Sequence, residues 1–370
     1  MDKPAEYLAR PLATSAALPV ATPVPGPRRD LAGSEVVLTG GRGFLGGHVR
    51  AALAGRGVVL LGRRRPEVLA AYERWASVDL AAGALVTHHL KALDAPAGTA
   101  LCHLAHNFGD PEQAVTMSLN LLSAVNACPQ ITRMVLISTV SVYGPRHRGL
   151  VEETTACRPR SAYARAKLAA EQPWLTELRA DCELVVLRMG SVISAQRPTS
   201  YQPIFDALRR PVRAAALGSL RRGTPVSYVT AGNAAAAVRF ALDTPLVARR
   251  AVFNVVDDLG RAGAALARAN VDYAAMQDAV RRLAGLPALW RLPLPTAAVD
   301  GAALVIGRPR PGQWYSSAAL RAAGFAAPRA LADEIAQIVD GQFPDRARAG
   351  GIGAGGEADI ASGGGAPCGC

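Results

Sequence analysis

The sequence predicts an α/β fold: a doubly wound parallel sheet with a smaller, mixed C-terminal lobe. Three observations carry this. Near-continuous Val/Leu/Ile runs alternate with longer helical patterns, as in a sheet buried on both faces. A glycine-rich turn joins the first such run to the first helix. Beyond about residue 190 the alternation loosens and Pro198, Pro203, Pro211 and Pro225 interrupt it.

Glu35-Val36-Val37-Leu38 reads as the first strand and His48–Leu53 as the first helix. Between them stands Thr39-Gly40-Gly41-Arg42-Gly43-Phe44-Leu45-Gly46. Strand, glycine turn and helix in this order form the entry of a Rossmann-type dinucleotide site. The glycines let the backbone approach a pyrophosphate, and the helix N-terminus offers it free N–H groups and a positive dipole end. Val58–Leu61 reads as the second strand, Ala100–Ala105 and Met134–Ser138 as later ones, and Leu184–Leu187 as another. Tyr163–Glu171, between the last two, combines four alanines with Arg, Lys, Leu and Glu and predicts a helix. In the C-terminal lobe, short strands are expected at Val226–Val229 and Val252–Val256.

The organisation predicted is a disordered leader over 1–32, a dinucleotide-binding core with the catalytic residues over 33–190, a substrate-binding lobe interleaved with it over 191–345, and a flexible Gly-rich tail over 346–370. The Ala/Pro-rich start lacks the basic segment and compact apolar core of a signal peptide. No apolar run is long enough to span a bilayer, so no membrane partner is expected. Cys102, Cys128, Cys157 and Cys182 show no pairing pattern, which fits a reduced cytoplasm. Cys368 and Cys370 form a C-x-C on the tail that reads as incidental, and no metal site is expected. The net charge of +12 is dispersed in short clusters (Arg63-Arg64-Arg65, Arg209-Arg210, Arg221-Arg222), and aromatics are only 5%. Nucleic acid is therefore not the expected partner; an anionic small molecule suits local arginine clusters better.

The chemistry converges from separate segments. The Met134–Ser138 strand runs into Ser138-Thr139-Val140-Ser141-Val142-Tyr143-Gly144. Tyr163 and Lys167 are four residues apart, hence on one helical face. A strand-end hydroxyl with a Tyr/Lys pair suits carbonyl–alcohol redox chemistry. The phenol moves a proton to or from the substrate oxygen, and a neighbouring ammonium favours the phenolate.

With Asp79-Leu80, His103-Leu104-Ala105, Leu187-Arg188 and the closing Leu320–Phe325, these segments resemble the extended short-chain dehydrogenase/reductase family, the group called NAD-dependent epimerase/dehydratase. The resemblance spans residues 35–330. It implies Tyr163 as general acid/base, Lys167 on the nicotinamide ribose, and Thr139 on the reacting oxygen. It further implies Gly40, Gly43 and Gly46 at the pyrophosphate with Phe44 and Leu45 beside them. Asp79 and Leu80 fall near the adenine, and Leu104 and Ala105 near the adenosine ribose. The Asp79 carboxylate serves equally well as a helix cap. Relatives often pair through the Tyr/Lys helix, which implies a homodimer.

Departures from the family pattern narrow the reaction. Dehydratases carry an acidic pair after the threonine, where this chain has Val140 and Ser141. The contacts of nucleotide-sugar epimerases align with Ser191 and Thr224, with Arg221 and Arg222 close enough to substitute. The second strand ends in Leu61-Gly62-Arg63-Arg64-Arg65, without the acid an NAD ribose needs, so Arg63 favours a 2′-phosphate and NADP over NAD. The expected function is an NAD(P)-dependent oxidoreductase acting on a secondary alcohol or ketone. A nucleotide-sugar epimerase that recycles NAD internally is the alternative, and a non-catalytic NADP-binding protein the third reading.

Overall fold

The computed structural model describes residues 35–196, 210–245, 248–257, 271–305 and 312–342. The leader, the tail with Cys368 and Cys370, Pro198, Pro203 and Arg209 lie outside the described residues.

Seven strands form one sheet, all parallel: β1 (Val36–Thr39), β2 (Val58–Gly62), β3 (Glu73–Ser77), β4 (Thr99–His103), β5 (Ile131–Thr139), β7 (Glu183–Met189) and β11 (Arg250–Val255). Their spatial order is β11-β7-β5-β4-β1-β2-β3. The strands alternate strictly between two cores. Val36, Leu38, Val58, Leu60, Val135 and Ile137 belong to one apolar cluster. Val37, Val59, Leu61, Met134 and Leu136 belong to the other. With apolar side chains on both faces, the runs read as unbroken hydrophobic segments.

Helices cover each face. α1 (Phe44–Ala52) and α6 (Ala231–Asp243) pack together on one side. On the other, α2 (Ala84–Ala92), α3 (Pro111–Asn126) and α4 (Ala162–Glu177) pack in succession, with Trp174 of α4 fully buried among them. Asp110, Ser161 and Thr230 accept hydrogen bonds from Gln113 N, Ala164 N and Asn233 N, capping α3, α4 and α6. α1 has no such cap: Gly43 stands at its N-cap position with no side-chain acceptor.

A smaller lobe contains β8 (Ser191–Ile193) paired with β10 (Tyr228–Thr230), β9 (Pro225–Val226) paired with β12 (Val271–Asp272), and the helices α5 (Pro211–Leu220), α7 (Tyr273–Leu283), α8 (Thr296–Val305) and α10 (Leu331–Gln342). Its core includes Ile193, Tyr228, Met276, Val280, Leu331 and Ile335. β6 (Arg148–Val151) and β13 (Gly312–Tyr315) form a further parallel pair, and α9 (Ala318–Ala322) packs on β11.

Three elements differ from the sequence expectation. Glu73–Ser77 forms an edge strand, although Glu-Arg-Trp-Ala-Ser carries no apolar run; only one neighbour covers it. The strand expected over Val226–Val229 is split at Ser227, whose carbonyl accepts from Ser191 N. The strand expected within the lobe at Val252–Val256 instead extends the main sheet, registered Val252↔Val186 against β7. The four described core cysteines are free and buried.

Candidate active site

After β1 the chain crosses to β2 and β3 on one side, while β4, β5, β7 and β11 lie on the other. A ligand crevice is expected outside the carboxyl ends of strands where the order reverses. A cleft of about 900 Å3 opens there. It is lined by Gly40, Gly43, Phe44, Leu45, Gly46, Arg63, Asp79, Leu80, Leu104, Ala105, Thr139, Tyr163, Lys167 and Ser191, all expected at the site. Arg221 and Arg222 do not line it: Arg221 stacks over the Tyr273 ring, 5.0 Å from its centroid, within the lobe. Thr224 is buried there and is not among the lining residues either.

The glycine turn is shaped by close approach. Gly40 has φ +74°, and a Cβ on it would stand 2.6 Å from Ala105 N. A Cβ on Gly46 would overlap the Gly40 carbonyl oxygen and sit 2.8 Å from Gly41 Cα. The free N–H groups of α1 therefore face the cleft with no side chain in the way. A diphosphate fits this cradle by size and by charge. Gly46→Ala is expected to weaken dinucleotide binding tenfold to a hundredfold, roughly the cost of overpacking at such a contact. A fluorescence titration with NADPH checks it; unchanged affinity would remove the turn from the site.

The second side of the cleft holds three groups in a row. Thr139, at the end of β5, caps the following 3-10 turn (Val140–Tyr143): its Oγ1 accepts from Ser141 N and approaches Ser141 Oγ, both at 3.2 Å. Tyr163, in the first turn of α4, lines the cleft near Thr139, whose hydroxyl favours the phenolate. Burial raises the phenol pKa, and the Thr139 hydroxyl opposes that in part. Lys167, one turn on, donates from Nζ to Ile137 O at 3.0 Å. Burial lowers its pKa to about 8, against the opposing pull of Glu171.

Beneath this row lies a polar network. Glu171, fully buried, accepts from Ser138 Oγ at 2.5 Å and from Arg188 Nη2 at 2.5 Å. Arg188 Nη1 donates to Tyr143 Oη, which donates to Asn254 Oδ1, both at 2.8 Å. Burial opposes the Arg188 charge, but Glu171 more than offsets it and keeps the guanidinium protonated. His103 is a core residue: it is buried, and its Nδ1 lies 2.7 Å from Thr39 Oγ1.

Sequence reasoning missed several residues that the fold brings to the cleft. Arg42 and Arg64 line it together with Arg63. Phe108 stacks on Tyr163 (centroids 5.6 Å apart, 15° between planes), and His106 meets the same ring edge-on at 5.2 Å. Burial, aided by the Lys167 charge, depresses His106 to about 3, so it is a neutral wall. Both aromatics lie in the loop just past the carboxyl end of β4, the position where ligand contacts of such sheets fall. That was the available signal.

Comparison with known proteins agrees with this architecture. UDP-glucose 4-epimerase from Thermus thermophilus, solved with NAD, is 23% identical, with a TM-score of 0.59 over 83% of this chain and 98% of that one. UDP-glucose 4-epimerase from Thermotoga maritima, solved with UDP-glucose, is 17% identical, with a TM-score of 0.61 over 85% and 99%. UDP-N-acetylglucosamine 4-epimerase from Bacillus cereus is 17% identical, with a TM-score of 0.58 over 83% and 98%. At these identities the likeness is one of fold. No curated protein sequence matches the chain. The model of the NAD dependent epimerase/dehydratase family matches residues 36–255, from the first strand of the sheet through its last. With a glycine turn, a Thr/Tyr/Lys row and a seven-stranded parallel sheet inside that span, the chain belongs to the NAD dependent epimerase/dehydratase family of enzymes.

Proposed function

We propose that this protein is an NADP(H)-dependent oxidoreductase that interconverts a ketone and a secondary alcohol, with Tyr163 as general acid/base. The observation that supports it most is the row Thr139, Tyr163 and Lys167 lining the same cleft as the glycine turn. When bound, the nicotinamide supplies or takes up the hydride.

The residues of the chain do the rest. Gly40, Gly43 and Gly46 cradle the diphosphate, and Asp79, Leu80, Leu104 and Ala105 flank the adenosine half. Thr139 orients the substrate oxygen. Tyr163 gives its proton to that oxygen in the reductive direction and recovers it in the oxidative one. Burial keeps the free phenol protonated near neutrality, which suits reduction. Lys167 holds the ribose hydroxyls and steadies the phenolate that proton transfer leaves behind. Ser191 contacts substrate from the lobe side. Val140 and Ser141 provide no carboxylate for eliminating water.

Arg63, with Arg42 and Arg64 lining the same cleft, supports a 2′-phosphate over a free hydroxyl. Arg63→Glu is expected to weaken NADPH binding about tenfold to a hundredfold, the range of a lost charged hydrogen bond, with little change for NADH. Equal losses for both nucleotides would refute the 2′-phosphate role.

Mass spectrometry of the nucleotide released from freshly purified, denatured protein tests the reaction class. A site that is empty and prefers NADPH supports the exchangeable-cofactor reductase. Stoichiometric, tightly held NAD would replace it with an epimerase that returns the hydride within each turnover.

A further inference from the structure

Eleven large apolar side chains are exposed among the described residues, and seven of them fall between residues 212 and 305 of the smaller lobe. Trp290 is 76% exposed and Val305 87% exposed, and Leu220, Leu283, Leu292 and Leu294 stand out with them. Scattered apolar residues need no explanation, but a contiguous exposed apolar patch marks an interaction surface.

The segment carrying Trp290 is held in place rather than loose. Arg281 Nε and Nη2 donate to Pro287 O at 2.8 and 2.6 Å. Arg291 grips both carboxylate oxygens of Asp278 at 2.7 and 2.8 Å. Leu292 N donates to Ser219 Oγ of α5 at 3.0 Å. Pro293 and Pro295 then carry the chain into α8, whose Thr296 methyl lies against Gly223, just beyond α5. Leu220, Leu292 and the start of α8 are thus neighbours. α8 itself, Thr-Ala-Ala-Val-Asp-Gly-Ala-Ala-Leu-Val, is mostly exposed with a single charge, Asp300.

Exposed arginines stand next in sequence to these apolar residues: Arg213 after Val212, Arg221 and Arg222 after Leu220, and Arg282 before Leu283. The acids on α5, α7, α8 and the joining segment are Asp278, engaged by Arg291, and Asp300. A Trp/Leu/Val face flanked in sequence by arginines matches the boundary of an anionic bilayer. There the indole sits at headgroup level and the guanidiniums meet lipid phosphates. A second copy fits worse, because a self-complementary interface would bury these arginines with only Asp278, engaged by Arg291, and Asp300 on the same elements to balance them. No helix among the described residues is long and apolar enough to cross a membrane, and a peripheral contact needs none.

We infer that the face formed by α5, residues 286–295 and α8 docks this protein peripherally on anionic lipid bilayers. The docking surface is independent of the reaction at Tyr163.

The test is co-sedimentation of the full chain with vesicles of phosphatidylcholine, with and without about a quarter phosphatidylglycerol. Binding is expected to the anionic vesicles alone and to fall with added salt. Two double variants, Arg213→Gln/Arg282→Gln and Trp290→Ser/Leu292→Ser, should each lower partitioning about tenfold or more. Both should keep the thermal unfolding midpoint and the NADPH affinity of the parent. Lipid should shift tryptophan emission to the blue in the parent and not in the Trp290 variant. Three outcomes overturn the inference: no binding to anionic vesicles, binding unchanged in both variants, or a lipid-free dimer that the Trp290→Ser/Leu292→Ser variant abolishes.

Discussion

Tyr163→Phe is expected to lower turnover by about 10²–10⁴-fold, the usual worth of a positioned general acid or base, while leaving dinucleotide affinity nearly unchanged. The ring of Tyr163 keeps its stacking on Phe108 in the variant; only the hydroxyl is lost. Steady-state kinetics beside an NADPH titration separates the two effects. A Phe variant at parental turnover would discard the proton-transfer role. The pH profile of kcat/KM is a second readout, since it reports groups of the free enzyme. Lys167 titrates at about 8. Below that value its ammonium stabilises the developing phenolate; above it the charge is lost and the rate falls. The alkaline limb should therefore centre near 8 and disappear in Lys167→Met, which is slow at every pH.

Arg188→Leu is expected to destabilise the fold by about 3–5 kcal/mol, because it strands Glu171 as a fully buried, unpaired carboxylate. The midpoint of thermal unfolding should drop by roughly 10 °C. Tyr143 Oη and Ser138 Oγ lose their fixed surroundings at the same time. Since Ser138 immediately precedes Thr139, activity should fall even at temperatures where the variant stays folded. Replacing both partners, Glu171→Leu with Arg188→Met, should recover much of the stability, because neither partner is then left as an uncompensated buried charge, but not the activity. A single variant as stable as the parent would show that the pair is solvated and contributes little.

The main sheet was legible because its strands are buried on both faces. Val36–Leu38, Val58–Leu61, Met134–Ser138 and Leu184–Leu187 have no polar alternation to obscure them. The site was legible where chemistry forces residue type: glycine at the turn, and a Tyr/Lys pair one turn apart. Glu73–Ser77 was not, since an edge strand covered by one neighbour tolerates Glu and Arg. Phe108 and His106 were not singled out, because nothing in their spacing marks a loop that folds back onto Tyr163. Arg221 illustrates the converse: its distance along the chain suggested the cleft, and packing on Tyr273 keeps it in the lobe.

By itself the sequence determined the strand–glycine turn–helix entry and the parallel sheet, because these depend on local sterics and on periodicity along the chain, while the roles proposed for Thr139, Tyr163 and Lys167 came from the family resemblance. Only the tertiary structure decided that Val252–Val256 closes the sheet beside β7, that Glu171 and Arg188 form a buried pair beneath Thr139, Tyr163 and Lys167, and that Leu292 is tied to Ser219 of α5, next to the exposed Leu220. These are contacts between segments far apart in the chain, set by packing and desolvation, which no local pattern records.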